Sequence, residues 1–487
     1  MRQFSRIVLR NSAIGLAAQL AIKLLSFGFS ILIVRNLGAE AFGQYAAVLA
    51  FGALFVFLAD LGLSPYTVRE VARLRDMPDS AIRVSTLFGN VLLLRFLLAL
   101  LTTALLVTTA WLTGRPAVMV VAIALGALGL IMYSAHGASD AMLAGFERLD
   151  LSASAKVSYQ LVFVLAGAAA LFLGTGYYGL IGANLLGIGL MTYLCWRGTR
   201  TLGLRPVGAT PRAWPQLLRA SIPFGVIGFT LGLSYKFDSV LLNIFRSDAE
   251  TGYYNAAYNL VFSMAMLSNV INTSLYPSLA RQAASDPQSL PGIYERTLRY
   301  LMVLALPIAV GTWALADQIV VSLFKAAYLP AIPALQIVIW VVPLMYLSEF
   351  LGYVVVIAGK ESRVARAVIV STSCNVLLNL LAVPRFGFLG AAVMTVLTEV
   401  VLVGQYLWLL RALMRQVSWS QIVLRPLLAA LFMGGLARTL HHLPLLISIA
   451  LSAMVYGALL LVLGVIGGDE LRFARTLWGG TRRQAPL

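Results

Sequence analysis

Along this chain the apolar residues come in long runs, not at the 3.6-residue or 2-residue periods of amphipathic helices and strands. Phe96–Trp111, Ala117–Tyr133, Leu161–Leu173 and Leu443–Val465 each approach, with their flanks, the roughly 20 residues that a bilayer helix needs. Short turns rich in Gly, Pro and Tyr, such as Gly174–Tyr178 and Pro384–Gly387, separate many of them. The pattern predicts about fourteen membrane-spanning helices, near 12–34, 43–63, 86–111, 116–138, 152–173, 178–196, 217–244, 252–275, 300–316, 332–358, 365–383, 387–410, 424–438 and 443–466. The thirteenth is the weakest, because Arg425 and Pro426 stand at its start. The first is too long for the apolar core of a signal peptide and has no small-residue cleavage site behind it, so it is read as a retained helix. The fold class expected is an all-α polytopic membrane protein.

Composition agrees. The chain has 487 residues, 60% hydrophobic and only 11% charged, against about 25% charged in a soluble domain. Cys195 and Cys374 both lie in apolar runs and read as small hydrophobes. With the N-terminus placed in the cytoplasm, the N-terminal tail, the even-numbered loops and the C-terminal tail hold 26 of the 36 Lys and Arg residues. The opposite loops hold six and the spans four. By the positive-inside rule this places both termini in the cytoplasm, in a multi-pass protein of a bacterial or archaeal cytoplasmic membrane. The net charge of +17 then faces the leaflet whose anionic lipids favour it. The basic residues are scattered through short loops, which argues against nucleic acid as a partner.

A duplication adds the organisation. Leu9-Arg10-Asn11-Ser12 returns as Leu218-Arg219-Ala220-Ser221, an offset of 209, and at the same offset Ser30 meets Ser239, Gly43 meets Gly252 and Tyr45 meets Tyr254. Tyr178–Ala183 matches Phe386–Ala391 at offset 208, and Ala144–Glu147 resembles Ala358–Glu361 at offset 214. Six spans per copy, an even number, make a parallel repeat about an axis along the membrane normal. The division expected is an N-lobe over 1–196 (helices 1–6), a cytoplasmic linker over 197–216, a C-lobe over 217–410 (helices 7–12), and two added helices with a cytoplasmic tail over 411–487. No P-loop or HExxH is present, and the longest stretches between spans run to little more than 20 residues. A soluble catalytic or ATPase domain has no room. Transport would draw on an ion gradient, the membrane potential or the cargo's own gradient, with no cofactor beyond Na⁺ or H⁺ as coupling ion.

Ile31–Tyr45 (ILIVRNLGAEAFGQY), Asp60-Leu-Gly-Leu63, Ala144-Gly-Phe-Glu147, Tyr235-Lys-Phe-Asp238 and Asn375-Val-Leu-Leu-Asn379 leading to Gly387-x-x-Gly390-Ala391 resemble, in order and spacing, the polysaccharide-transporter branch of the multidrug/oligosaccharidyl-lipid/polysaccharide exporter superfamily. The branch holds the O-antigen and exopolysaccharide flippases, with lipid II flippases as cousins. The resemblance implies a V-shaped pair of lobes around a central cavity that alternates its access. It implies no enzyme activity. The implied cargo is an undecaprenyl-pyrophosphate-linked oligosaccharide moved to the outer leaflet for O-antigen, capsule or exopolysaccharide synthesis. Membrane lipids, a polymerase and glycosyltransferases would be its partners.

Three sets of residues carry candidate chemistry. Lys23, Arg95 and Lys236 lie well inside spans, where a charge costs at least about 2.5–3.5 kcal/mol and usually faces a cavity or a partner. Lys23 and Lys236 stand in the first helix of each repeat, four residues apart in repeat register. The expectation is that all three hold the pyrophosphate; the alternative is pairing with an intramembrane carboxylate such as Asp60, Glu349 or Glu399. On span eight, Asn255, Asn259 and Ser263 follow at i, i+4 and i+8 with Tyr258 beside them. That face either meets sugar hydroxyls or satisfies neighbouring helices. Asp238 on span seven, Asn375 and Asn379 on span eleven and Thr395 on span twelve would together make a hard oxygen shell suited to Na⁺. The lipid II flippases that this chain resembles place a sodium site on these same helices. Otherwise Asp238 pairs with Lys236 or Arg246 and the asparagines cross-link helices.

Two other functions are alternatives. A multidrug exporter of the same superfamily would want acidic groups deep in the N-lobe, where basic ones outnumber them. A membrane glycosyltransferase, such as an O-antigen ligase or polymerase, would want a sizeable outer loop; the longest here is about Asp317–Ala331 with one acidic residue.

Overall fold

The computed structural model describes residues 22–465, all-helical apart from turns, with no strand among the described residues. The elements are α1 (22–37), α2 (Ala39–Asp60), α3 (Leu63–Leu74), α4 (Ser80–Leu112), α5 (Ala117–Gly145), α6 (Leu149–Phe172), α7 (Gly176–Thr201), α8 (Trp214–Phe245) and α9 (Asp248–Ser285). They continue through α10 (Leu290–Ala314), α11 (Ala316–Phe324), α12 (Ile332–Val338), α13 (Val341–Ile357), α14 (Glu361–Leu409), α15 (Arg411–Met414), α16 (Arg425–Thr439) and α17 (Leu445–Val462).

Ten helical segments among the described residues are long and apolar enough to cross a membrane, eleven if α8, bent by 51° between Thr230 and Gly232, is one span. Fourteen is not reached by that measure, for three local reasons. The first expected span begins outside the described residues. The helix α9 is long enough, but its asparagines, tyrosines and serines lower its hydropathy. Expected spans eleven and twelve run together as α14, interrupted only at Gly387 (φ 58°, ψ −143°), a conformation that a side chain would strain. The weak thirteenth span is α16. Its Arg425 sits at the first turn, where Pro426 is tolerated, and donates to the Leu463 carbonyl at the end of α17 at 2.9 Å. Leucine and phenylalanine side chains such as Leu101, Leu165, Phe172 and Leu446 stand exposed on these helices, as lipid contact requires.

The helices form two compact units. The first runs from the start of the described chain to Ala256 and takes back Thr372–Ala391; the second holds Ala257–Ser371 and the chain from Ala392 onward. In the first, Val71, Val84, Phe88, Val91, Ala138, Met142 and Leu204 make a core. The segment between α7 and α8, expected as a linker, is pinned to α4. Val207 donates to the Ser85 carbonyl at 3.1 Å, and Asn90 Oδ1 accepts from the Thr210 amide at 2.7 Å and from the Trp214 indole at 3.1 Å. In the second unit α10 is the hub. Tyr294 meets Phe350 of α13 edge-on at 5.9 Å, Gly434 of α16 lets Val310 approach, and the Tyr456 hydroxyl of α17 donates to the Val303 carbonyl at 2.9 Å. The two helices outside the repeat are thus bound through α10.

Candidate functional site

The start of α2 and the start of α9 touch backbone to backbone. A Cβ on Gly43 would overlap the Asp248 carbonyl and lie 2.9 Å from the Gly252 amide nitrogen; a Cβ on Gly252 would overlap the Ala39 carbonyl. These two glycines stand at the same position of the two sequence repeats, 209 residues apart. Polar groups bracket it. Asp248 accepts from Gln44 Nε2 at 3.0 Å and from Asn243 Nδ2 at 2.7 Å. Beside it Glu250 takes Arg246 Nε at 3.2 Å and the Phe388 amide at 3.2 Å. A Cβ at Gly387 would collide with that Glu250 carboxylate, a second reason for glycine at the break in α14.

Asp238 lies one layer deeper on α8, 2% exposed. Its carboxylate accepts from the Tyr254 hydroxyl of α9 at 2.7 Å and from Asn379 Nδ2 of α14 at 3.3 Å. The Asn379 side chain is fully buried, and its Oδ1 finds no hydrogen-bond partner among the described residues. Asn375, one turn earlier, is buried as well. Arg246 pairs with Glu250, as above. Thr395 belongs to the second compact unit, where it is buried and its carbonyl accepts from Thr398 Oγ1 at 3.1 Å. Asp238, Asn375 and Asn379 are therefore together in one unit.

The other repeat lacks this chemistry. At the repeat offsets Phe29 is the counterpart of Asp238 and Gly167 that of Asn375. Phe29 packs edge-on against Phe163 at 5.1 Å, and a Cβ at Gly167 would overlap its ring. A phenyl seated on a glycine fills the place that a carboxylate and an amide take in the second copy. The fold does not require polar groups there.

Of the three basic residues inside spans, Lys23 on α1 and Lys236 on α8 are half-buried. Arg95 on α4 is 1% exposed; its guanidinium is held by Asp60 of α2 and by Ser64 Oγ of α3, and Ser64 Oγ itself donates to Asp60 at 2.7 Å. Gly137 on α5 makes the space, since a Cβ there would overlap the guanidinium. A second pair lies alongside, where Lys156 Nζ meets Asp140 at 3.1 Å and Ser152 Oγ donates to the same carboxylate.

The polar face of α9 is mostly engaged. Asn255 is buried, accepts from Ser239 Oγ at 3.1 Å and donates to the Thr251 carbonyl at 2.8 Å. Tyr258 is buried and stacks on Phe262 at 4.0 Å, and half-buried Asn259 accepts from Ser263 Oγ at its carbonyl at 2.6 Å. Sequence reasoning passed over His136, discussed below; Glu399, named above as a possible carboxylate partner of the basic residues, accepts from Ser348 Oγ. The only signal for either was an ionisable residue inside an apolar run.

Long apolar helices that bury a few ionisable groups define a polytopic membrane protein of the transporter type. The chain belongs to the family described as "Polysaccharide biosynthesis protein", which matches residues 8–282. Among curated proteins it is similar to two from Haloferax volcanii. It is 22% identical over 177 residues to the probable low-salt glycan biosynthesis flippase Agl15, and 24% identical over 269 residues to the probable flippase AglR. The match to Agl15 takes in 36% of this chain and 38% of the relative; that to AglR takes in 53% and 54%. The chain thus spans about half or less of the relatives' lengths. Among solved structures it is similar to the lipid II flippase MurJ in an inward closed conformation, with TM-score 0.76, 13% identity, and 92% of this chain and 98% of that one covered. An inward-facing multidrug resistance MATE family transporter of the MOP superfamily gives 0.64 and 15%, covering 82% and 98%. The fold is that of these transporters.

Proposed function

We propose that this protein is a flippase that carries an undecaprenyl-pyrophosphate-linked oligosaccharide from the cytoplasmic to the outer leaflet by alternating access, for cell-surface polysaccharide synthesis, without chemistry on its cargo. The observation that carries the reading is the pair Lys23 and Lys236, two half-buried cations in the first helix of each copy of a duplicated chain of this family. A cation that enters hydrocarbon is costly unless it meets an anion or water. A diphosphate carried on a lipid is such an anion, and Lys binds it as a point charge. Arg95, the third candidate, would join through the Asp60 pair that already holds it. Asn255, Tyr258 and Asn259 would face the glycan only where the hydrogen bonds described above are exchanged for sugar hydroxyls. A polymerase and glycosyltransferases are the partners this activity calls for, with both termini cytoplasmic in the cytoplasmic membrane.

For coupling, Asp238, Asn375 and Asn379 supply a carboxylate and amide oxygens that suit Na⁺, and the buried, unpartnered Oδ1 of Asn379 fits a cation ligand. Lys23→Ala and Lys236→Ala should stop glycan export in a complementation assay at normal protein level, and Lys→Arg should retain part of it. Export at the wild-type rate by both alanine variants would refute the basic-groove reading. A second reading, export of a cationic drug, draws on the half-buried Glu399 of the second unit; drug resistance conferred by the chain, unchanged in the lysine variants, would favour it.

A further inference from the structure

His136 sits on α5 in the middle of the first unit, 2% exposed, its ring 5.3 Å from that of Tyr133. Its Nδ1 has no hydrogen-bond partner among the described residues. The charges around it are Asp140 one turn along its own helix, Lys156 from α6 and Arg95 from α4, the last carrying Asp60 of α2. Tyr133 and, on α7 near Asp140 and Lys156, Cys195 complete the titratable groups. Both carboxylates already have a cation and a hydroxyl, from Ser64 and Ser152. Two carboxylates and two cations cancel, so with a neutral imidazole the cluster carries no net charge.

We propose that His136 is a proton-binding group that becomes charged as an anionic lipid diphosphate arrives beside the Asp60–Arg95 and Asp140–Lys156 pairs. The inference rests on the lipid-diphosphate reading above and adds a proton to it. A proton taken up alone would leave one uncompensated positive charge in a dry bundle, and an anion arriving alone would leave negative charge there; each is costly, and the two together offset. The cluster is built for such an arrival. Lys156 is half exposed and the side chains of Asp60 and Asp140 are 23% and 24% exposed, whereas the imidazole is enclosed. Half-exposed Lys156 meets the anion, and the enclosed ring holds the proton that balances it. The bare Nδ1 has no neighbour competing for it, whether it carries the ring N–H or the lone pair that accepts the proton.

The test is calorimetric titration of the purified full chain in detergent with geranylgeranyl diphosphate, near pH 7.5, in buffers of different ionisation enthalpy. At about one unit above the ordinary imidazole value, binding should take up close to one proton per ligand. His136→Gln should bind with uptake near zero, and its thermal melting should show that it is folded. Binding to the wild type without proton uptake overturns the proposal whatever the variant does, as does undiminished uptake by His136→Gln. Failure of the diphosphate to bind the wild type defeats the lipid-diphosphate reading itself, and this inference with it.

Discussion

Gly43 and Gly252, one position in two copies of a repeat, meet back to back: a Cβ on Gly43 would lie 2.9 Å from the amide nitrogen of Gly252. Nothing larger fits while α2 and α9 cross there. Gly43→Val should therefore force the crossing apart or destabilise it, by the order of 1–3 kcal/mol expected of overpacking. In a cysteine-free background, Gln44→Cys with Asp248→Cys, side chains that now hydrogen-bond, should form a cross-link that halts transport until it is reduced. Unimpeded transport with the cross-link fully formed would show that this contact never opens.

Tyr254 donates to the Asp238 carboxylate, which is 2% exposed. Tyr254→Phe should cost about 1–3 kcal/mol, the penalty for depriving a buried polar group of a partner. If the cluster takes Na⁺, sodium should raise the melting temperature of the wild type through mass action. Asp238→Asn should lose that rise. An equal sodium effect in both would remove Asp238 from any cation site.

Arg95 and Asp60 form a buried pair, so removing one partner strands the other. Arg95→Ala should destabilise by about 3–5 kcal/mol, more than a double change of Arg95→Met with Asp60→Asn. Gly137→Ala should act like a milder form of the same lesion, because its methyl enters the guanidinium's space. Melting in detergent reads all three, and an additive double change would show the residues to be uncoupled.

The orientation gives a fourth expectation. Membrane-impermeant thiol reagents applied from outside should label cysteines at Gly176, the first residue of α7, and at Ala249, in the first turn of α9, and not at Ala81 or Pro206. Labelling at Ala81 would turn the molecule over.

The sequence by itself determined the helices, the repeat and the family. Hydrocarbon leaves a spanning backbone no partner but itself, so a run of about 20 apolar residues is already a helix wherever its neighbours lie. It also picked Asp238, Asn375 and Asn379 together, since i, i+4 spacing puts the two amides on one face. What only the tertiary structure decided is partnership between residues far apart in the chain. Asp238 and Asn379 are 141 residues apart, and Arg95 and Asp60 are 35 apart. No local period records such distances. Only the packing of α2, α3 and α5 around Arg95 gives it Asp60 and Ser64 as partners. His136 gave no signal beyond its presence in an apolar run, because a buried imidazole is defined by the charges packed around it, and three of the four, Asp60, Arg95 and Lys156, come from other helices.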